Sequence, residues 1–503
     1  MARQISQRIK ITGTITAQTP LHVGGLSTDP TVDLSLALNG RSESYVPGTS
    51  LAGAFRNWMW DYGISGEEID SIWGFQKEDR GHASFIIIED AVVKLPDGAI
   101  AELRDHVGID RIYGSASDKT KFDRAILPKG STFPLDITID IAKDKPLPVD
   151  AVEKLIHALE HDGLRLGGAK TRGLGLIKLT HPEWKVYDFS SFAGMIAALG
   201  NQSKEHKPAS ESSCHLLKMT IHWHPIGALM VKSGQDGVAV DILPLTSRDG
   251  KDVSFVLPGS GVKGALRSQA ERILRTVLQA GCPTDKLQMQ LEDDNLKLTQ
   301  WLFGKSGTGS ASESVEFGQG ALAIDDCYCT KKITPKNWQA VEQAIDDPKQ
   351  VNAGTLRGSL DAAKLTDTQQ AFHVAIDRWT GGAAEHMLYS ALEPFNLDWA
   401  PIELTVNLKR IEDSQKEAVK ALLILTLRDL ASGRIPLGYG VNRGYGSLEV
   451  EKIVLNTSAA SEFDGKEITF SPNGAIEGID ITQLNQAWQN WLNEESQNQE
   501  VPV

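Results

Sequence analysis

Cysteine is scarce in this chain. Only 4 of its 503 residues are cysteines, which excludes a small domain held together by disulfides. Cys327 and Cys329 flank Tyr328, so in a strand their side chains would lie on one face. A zinc site would need further cysteine or histidine ligands at short spacing, and none stands nearby. We therefore expect two buried core thiols rather than a metal site.

Long apolar runs are also missing. No stretch of about 18 or more apolar residues occurs, which excludes an apolar helix that spans a membrane. The N-terminal sequence Met-Ala-Arg-Gln-Ile-Ser-Gln-Arg lacks the apolar run of a secretory signal. We therefore expect a cytoplasmic protein with no membrane contact.

Positive charge is in deficit. The chain has 51 lysines and arginines against 65 aspartates and glutamates, a net charge of -14. This argues against a general nucleic-acid binder, because affinity for phosphate backbones comes largely from lysine and arginine. Any RNA-binding function must therefore place its positive charge in specific loops.

Several blocks of sequence occur twice, in the same order. Four pairs of blocks match: 31–34 with 239–242, 45–56 with 255–267, 106–114 with 373–381, and 166–175 with 437–446. They read Val-Asp, Pro-Gly-(Thr/Ser), Ile-Asp-Arg and Arg-Gly-x-Gly at their centres. Four matched blocks in order indicate a fused duplication.

The spacing of the blocks locates an insertion. Asp33 and Asp241 are 208 positions apart, Pro47 and Pro258 are 211 apart, and the third pair of blocks is 267 apart. The second repeat therefore gains about 56 residues (267 − 211), within roughly 283–370. That stretch is polar, as is typical of a surface excursion.

The repeats predict the domain organisation. We expect a first domain, a polar linker, a second domain with the insertion, and a C-terminal appendage, at 1–200, 201–213, 214–460 and 461–503.

The appendage contains an amphipathic helix stripe, formed by Leu484, Trp488, Trp491 and Leu492. The stripe could pack on its own domain or contact a partner subunit, and we favour the first.

Each repeat alternates strand and helix patterns. Residues 9–16 and 217–223 alternate with period two, as strands do. The Pro-Gly-(Thr/Ser) blocks precede amphipathic helices. Mixed strands and helices with hairpins predict an α+β sandwich of the ferredoxin-like kind.

The glycine-rich blocks match no nucleotide-binding signature. Gly168-x-x-x-x-Gly173 is followed by Leu-Gly rather than Lys-(Ser/Thr), and the second block precedes a strand instead of a helix. Glycine backbone beside basic and polar side chains suits a phosphodiester chain. The side chains concerned are Lys170, Arg172, Asn442 and Arg443. A tight turn with a solvated arginine is the alternative.

The Pro-Gly-(Thr/Ser) blocks offer a second phosphate site. A helix N-terminus with basic residues one or two turns later favours an anion. The residues are Ser50, Arg56, Lys263 and Arg267. Alone, each is an ordinary helix start.

Taken in order, these motifs resemble one protein family. Leu-His-Val-Gly-Gly at 21–25, the loop aspartate, the Pro-Gly block, Ile-Asp-Arg and the late Arg-Gly-x-Gly loop resemble the RAMP backbone subunits of type III CRISPR effectors. The resemblance covers most of 7–455, with the 283–370 insertion outside it. Two complete units in one chain resemble the fused arrangement of a subtype III-D variant.

The resemblance implies two fused ferredoxin-like or RRM-like RAMP domains. Each would have a palm and a thumb hairpin, the thumbs lying near 112–128 and 379–394. The implied partners are a CRISPR guide RNA, a complementary target RNA and other effector subunits. Those subunits would include other RAMP subunits and a large polymerase/nuclease subunit.

The resemblance also implies a catalytic aspartate in each unit. The matching residues are Asp33 and Asp241, as catalytic residues and as ligands of Mg²⁺ or another divalent metal ion. Asp29 and Asp236 stand close by. The alternative for a loop aspartate is a turn or cap residue. His22 could act as a general base in the first repeat only, because Met230 stands at its place in the second.

Each Ile-Asp-Arg block adds one arginine and one aspartate to the candidate residues. We assign Arg111 and Arg378 to RNA contact. Asp110 and Asp377 are interpreted as supporting residues that pair with the adjacent basic network.

Three functions are compatible with these residues. The first is a metal-dependent endoribonuclease that cuts target RNA at two sites within a larger ribonucleoprotein. The second is a scaffold that only binds RNA. The third, processing of guide precursors, is weakest because His22 is not duplicated.

Overall fold

A computed structural model describes the chain at 4–25, 31–143, 147–206, 208–209, 216–284, 286–305, 318–345, 354–457, 465–471 and 475–499. Asp29 and parts of the predicted linker, insertion and appendage lie outside these ranges.

The chain divides into two packing units. Unit 1 consists of Met1–Leu103, Arg124–Lys170 and Leu174–His215. Unit 2 consists of Arg104–Asp123, Thr171–Gly173 and Leu216–Val503. Two segments that belong to the first repeat by sequence therefore pack with the second.

The strands of the first repeat are, in chain order, β1 (Ile5–Ala17), β2 (Tyr45–Val46), β3 (Phe75–Lys77), β4 (Arg80–His82), β5 (Ile86–Ile88), β6 (Ala91–Val92), β7 (Glu102–His106), β8 (Phe122–Ile126), β9 (Thr132–Ala142), β10 (Leu164–Arg165), β11 (Arg172–Gly173), β12 (Leu176–Asp188) and β13 (Lys204–Glu205). The helices are α1 (Gly48–Tyr62), α2 (Gly66–Trp73), α3 (Val149–His161) and α4 (Phe192–Leu199).

The strands that follow are β14 (Leu216–Pro225), β15 (Thr246–Asp249), β16 (Asp252–Leu257), β17 (Leu322–Asp325), β18 (Cys327–Tyr328), β19 (Thr368–Ile376), β20 (Ala383–Pro394), β21 (Ile402–Asn407), β22 (Leu448–Thr457), β23 (Glu467–Phe470) and β24 (Ile476–Glu477). The helices are α5 (Gly259–Val277), α6 (Leu287–Leu291), α7 (Lys297–Phe303), α8 (Pro335–Glu342), α9 (Leu356–Ala362), α10 (Lys416–Ala431) and α11 (Thr482–Gln499). Short 3₁₀ turns lie at Asp294–Leu296, Leu408–Arg410 and Val441–Arg443.

Unit 1 is built on an antiparallel sheet with the strand order β10-β12-β1-β9-β5, and β13 pairs with β12. Strand β1 lies in the middle because its alternate residues Ile9, Ile11 and Ile15 are apolar and buried. Helix α1 follows Pro47 and buries Leu51 on the same core. The chain order β1-α1-β5-β9-α3-β12 is the βαββαβ order of a ferredoxin-like unit.

Unit 2 has the same plan. Its sheet has the order β11-β17-β21-β14-β22-β23-β24, and its elements follow the chain order β14-α5-β17-β21-α10-β22. Strand β11 is paired in parallel with β17. The prediction of a mixed α+β fold is confirmed by these sheets and helices.

The apolar stripe of the appendage packs on its own unit. Leu484, Trp488 and Trp491 of α11 are buried in the core of unit 2, and α11 contacts α10. The structure therefore has the apolar stripe packed on its own domain, the first of the two alternatives left open by the sequence.

The two neighbouring cysteines are core residues. Cys327 and Cys329 are buried, and burial raises the pKa of the Cys329 thiol to about 11. Within the described ranges, none of the helices combines the length and apolar character needed to cross a bilayer.

Candidate functional site

The loops that carry the two predicted catalytic aspartates share one backbone hydrogen-bond pattern. In the first repeat the amide of Ala37 donates to the carbonyl of Val23 at 2.8 Å. In the second repeat the amide of Leu245 donates to the carbonyl of Val231 at 2.7 Å. Donor and acceptor are each displaced by 208 positions, the same offset as between the aspartates. The two loops are therefore closed by the same backbone hydrogen bond.

The residue after each aspartate contacts the strand that follows the Ile-Asp-Arg turn. Leu34 forms a parallel bridge with Arg124, and Ile242 forms one with Ala391. In both cases the next amide of that strand donates to the carbonyl of the residue after the aspartate, at 3.0 and 2.9 Å. Each aspartate is thus held at the same place beside its strand.

The Asp241 carboxylate is oriented by Ser390. Its Oδ2 accepts hydrogen bonds from the backbone amide of Ser390 at 2.7 Å and from the Ser390 hydroxyl at 3.0 Å. Ser390 is buried, whereas Asp241 is exposed. Among the described residues, the second carboxylate oxygen, Oδ1, has no hydrogen-bond partner. One oxygen therefore fixes the orientation of the carboxylate, which remains exposed.

Asp33 lies exposed at the equivalent position of the first loop. Among the described residues, no three His, Cys, Asp or Glu side chains converge as a metal cluster. Mg²⁺ commonly binds through one or two carboxylates and takes its other ligands from water and phosphate oxygens. In the described parts of the two loops, a divalent ion would therefore have few protein ligands and would take the others from water or phosphate oxygens.

His22 lies beneath the glycine-rich loop of the first repeat. It is buried, and its Nδ1 lies 2.7 Å from the carbonyl oxygen of Ala125, so this nitrogen carries the proton and donates it. Burial lowers the pKa of the imidazole. Met230 occupies the matching place in the second repeat, where it is also buried.

The burial of His22 predicts a pH dependence of stability. Below the unfolded-state pKa of about 6.5, the unfolded chain takes up a proton that the folded protein resists. Stability is therefore present above that pH and is lost as the pH falls towards the lowered folded-state pKa. The variant His22→Met, which copies the second repeat, should flatten this loss by up to about 1.4 kcal/mol per pH unit.

The measurement is the urea midpoint of unit 1 between pH 7 and pH 5. His386→Met is the control, because that side chain is 90% exposed. An unchanged slope for His22→Met would show that His22 does not titrate differently in the two states.

The glycine-rich loops rest on the same backbone position in both repeats. Gly167 has a φ of 81°, and a Cβ there would lie 2.1 Å from the carbonyl oxygen of His22. Gly438 has a φ of 91°, and a Cβ there would lie 2.3 Å from the carbonyl oxygen of Met230. Only glycine is compatible with such positions. Each glycine-rich loop is thereby fixed against the segment that leads into the aspartate loop.

The structure gives the side chains of these loops different exposures. Lys170 is half-buried, whereas Arg172, Asn442 and Arg443 are exposed. Arg172 belongs to β11 and therefore to unit 2.

The starts of helices α1 and α5 are already occupied by carboxylates. The amide of Gly48 donates to Asp90 Oδ1 at 2.7 Å, and the amide of Gly259 donates to Asp326 Oδ1 at 2.9 Å. A carboxylate at the first helical amide repels phosphate. The first amide of each helix therefore already has an acceptor, and Ser50, which follows the first turn, is half-buried. Phosphate binding at these turns stays a prediction.

The basic residues of these helices also differ. Arg56 is exposed and pairs with Asp70 at 2.8 Å. Lys263 is buried, and its ammonium group donates to the carbonyl of Leu322 at 2.6 Å. The charge of Arg56 is therefore exposed, whereas the charge of Lys263 is buried and bound to a backbone carbonyl.

One buried glutamate holds two of the predicted RNA-contacting arginines. Glu271 lies 2.6 Å from the Nε of Arg111 and 2.6 Å from the Nε of Arg267. Both arginines are half-buried, so in this structure they serve the packing of unit 2. Arg378, the counterpart of Arg111, is exposed.

Asp110 and Asp377 each close a turn. The Oδ1 of Asp110 accepts from the amides of Ile112 and Tyr113, and that of Asp377 accepts from the equivalent amides two and three residues ahead, all at 2.8 to 2.9 Å. Backbone hydrogen bonds, chiefly from Tyr113 and Thr380, lower the pKa of these two carboxyls. Backbone amides are the main partners of these carboxylates, and Arg111 adds a smaller electrostatic contribution at Asp110. Their expected pairing with the adjacent basic network stays a prediction.

A cluster of aromatic and polar side chains surrounds Arg443, and the sequence did not predict it. It contains His373, Tyr389, Glu393, Tyr439 and Tyr445. A signal was present, because the aligned Ile-Asp-Arg blocks begin with His106 and His373. The His106 ring stacks on Phe122 with centroids 5.0 Å apart, as the His373 ring stacks on Tyr389 at 5.1 Å.

Comparison with known proteins gives one family. The sequence model of the RAMP superfamily matches residues 14–178 and 242–449, one range in each repeat. A search of curated proteins gives no significant match.

Proposed function

Because this chain belongs to the RAMP superfamily, we propose that it is a guide-RNA-binding backbone subunit of a type III CRISPR ribonucleoprotein. In this proposal it cuts the guide-paired target RNA at two sites, through Asp33 and Asp241. Membership of the superfamily indicates an RNA-binding, CRISPR-associated function, and the finer assignment goes beyond it. The two matched ranges favour an arrangement of two fused units, as in a subtype III-D variant.

One observation carries the assignment of the two sites. Each aspartate sits in a loop with the same hydrogen bonds, beside the same strand, at a constant offset of 208 residues. The duplication accounts for the recurring backbone, and both repeats carry an exposed aspartate at the same point of it although His22 is replaced by Met230 nearby. The recurrence therefore supports a shared role for Asp33 and Asp241.

The reaction expected at Asp33 and Asp241 is cleavage of the RNA backbone. Cleavage by in-line attack of a 2′-hydroxyl needs a distorted sugar–phosphate backbone and stabilisation of the developing charge. When bound, Mg²⁺ or another divalent ion supplies that charge stabilisation. The aspartate holds the ion or orients the hydroxyl, because a lone carboxylate is too weak a base to act alone at neutral pH.

Specificity does not need to come from this chain. Base pairing between the guide and target RNA reads the sequence in such complexes. The proposed partners are therefore the guide RNA, the target RNA, other RAMP subunits and a large polymerase/nuclease subunit.

The proposal is tested by mapping cuts in the assembled complex. A labelled RNA complementary to a defined guide is added in Mg²⁺ or in EDTA. We expect binding in both conditions, and two sets of cuts that depend on the metal ion. Cutting that persists in EDTA would exclude the metal. Binding without any cut in Mg²⁺ would leave the chain a non-catalytic RNA-binding scaffold.

Ser390 gives a smaller, site-specific prediction. Ser390→Ala removes the hydroxyl that orients Asp241 and keeps the backbone amide that does the same. One hydrogen bond is worth about 1 kcal/mol, so cleavage at the Asp241-dependent position should fall about fivefold. The Asp33-dependent cut in the same lane is the control. Equal loss at both positions would contradict a positioning role.

A further inference from the structure

Arg443, in the second glycine-rich loop, contacts two tyrosine side chains. Its Cζ is 5.2 Å from the ring centroid of Tyr439 and 5.7 Å from that of Tyr389. Its Nη1 donates a hydrogen bond to the Tyr389 hydroxyl. The residue is nevertheless exposed. Its guanidinium group therefore contacts both tyrosines and is still exposed.

The ring of Tyr389 is held in place by the side chain of His373. It stacks on His373 with an interplanar angle of 21°. The Nε2 of His373 lies 3.1 Å from the Oε1 of Glu393, and the hydroxyl of Tyr445 donates to the same oxygen. Glu393 and Tyr445 are buried. The rings that contact Arg443 are therefore connected to the interior of unit 2.

The backbone at Arg443 is fixed as well. Arg443 ends a 3₁₀ turn between Gly440 and Gly444, which have φ angles of 71° and 90°. A Cβ at Gly440 would lie 2.7 Å from the ring of Tyr445. The turn therefore packs directly on the aromatic cluster, and this restricts where the arginine can point.

The first repeat lacks most of this arrangement. At an offset of 271 residues, Gly168 stands in place of Tyr439 and Leu174 in place of Tyr445. At the offset of the third block, Phe122 stands in place of Tyr389 and so carries no hydroxyl. The arginine itself has a counterpart, Arg172. The same loop thus occurs in one chain with and without the two tyrosines.

We infer that Tyr389 and Tyr439 are positioning residues that hold Arg443 for an RNA phosphate, so that the second glycine-rich loop binds the RNA backbone more tightly than the first. A guanidinium group presents a planar fork that matches phosphate. Holding that fork in place before binding reduces the side-chain entropy lost on binding. The inference rests on the proposed RNA-binding function and names the residues that serve it in one loop.

The test measures binding of the full chain to a fluorescein-labelled single-stranded RNA by anisotropy at several salt concentrations. Arg443→Ala should weaken binding about tenfold and lower the slope of log K against log salt by about one. Tyr439→Ala should weaken binding about fivefold, and Tyr439→Phe should retain most of the affinity because the ring remains. Arg172→Ala should have a smaller effect than Arg443→Ala.

A double-variant cycle separates positioning from direct contact. If Tyr439 acts through Arg443, the variant with both Tyr439→Ala and Arg443→Ala binds no more weakly than Arg443→Ala alone. A further loss in the double variant would show that Tyr439 contacts RNA itself, and would overturn the inference.

The charge control is Arg357→Ala, because Arg357 lies on α9 and is 56% exposed. If the wild-type chain binds RNA and Arg443→Ala behaves like Arg357→Ala, the inference fails and the proposed function stands. If the wild-type chain does not bind RNA, the proposed function fails with it.

Discussion

Asp241→Ala is expected to lower cleavage at one set of target positions by at least about 100-fold, and Asp33→Ala should do the same at the other set. Groups that act directly on the reacting atoms typically contribute 10²–10⁴ in rate. Target binding should stay within about twofold of wild type, because neither side chain carries positive charge. The measurement is single-turnover cleavage of end-labelled target RNA in the assembled complex.

The chain offers a matched control for this prediction. Asp236 is exposed and lies five residues before Asp241 in the same loop. Asp236→Ala removes the same charge and should leave both sets of cuts unchanged. Asp241→Asn keeps the shape and the hydrogen bonds to Ser390, but should cut no better than Asp241→Ala if the charge is required. Unchanged cuts in both aspartate variants would assign the chemistry to another subunit.

The loops and the sheet plan could be predicted from the sequence because both are encoded locally. Glycines such as Gly167 and Gly438 are required where the chain approaches a carbonyl closely. Alternation of period two in β1 and β14 predicted the central strands. Matching blocks then imply matching backbones, and the constant offsets of the hydrogen bonds follow from this.

The contacts of the charged residues could not be predicted from the sequence in the same way. Lys263, Arg111 and Arg267 have the sequence appearance of surface cations, yet their partners are the carbonyl of Leu322 and the buried Glu271. The two groups of each contact are far apart in sequence, except for Arg267 and Glu271. A sequence motif gives the types of its residues but not the tertiary contacts that bury their charged side chains.

The packing of two first-repeat segments in unit 2 could not be predicted for the same reason. Residues 104–123 and 171–173 belong to the first repeat by sequence and pack in unit 2. Arg104 illustrates this, because its partner Asp326 lies 222 positions away. No local periodicity predicts a buried ion pair between such distant residues.

Arg104→Ala is expected to destabilise unit 2 by about 3–5 kcal/mol, the usual effect of removing one partner from a buried ion pair. The side chains of Arg104 and Asp326 are 4% and 0% exposed. Burial raises the pKa of the Asp326 carboxyl, and the charge of Arg104 and the amide of Gly259 oppose that rise. Without the arginine, Asp326 must remain charged with little compensation or take up a proton.

Hydrogen exchange resolved by peptide is the measurement of choice, because it reports each unit separately. Arg104→Ala should reduce protection in α5, whose first amide binds Asp326, and leave β1 of unit 1 protected. The matched control is Arg8→Ala. Arg8 pairs with Asp140 at 2.7 Å but is 40% exposed, so its loss should cost no more than about 1 kcal/mol, within unit 1.

A double variant separates the lost charge from the lost packing. Arg104→Met with Asp326→Asn removes both charges and keeps an acceptor for the amide of Gly259, so it should be more stable than Arg104→Met alone. Equal destabilisation of the two would assign the effect to the volume of the arginine. Loss of protection in β1 instead of α5 would contradict the packing of residues 104–123 in unit 2. The expected result would mean that a substitution in the first repeat destabilises the second, so a cut at the linker would remove residues 104–123 from the unit in which they pack.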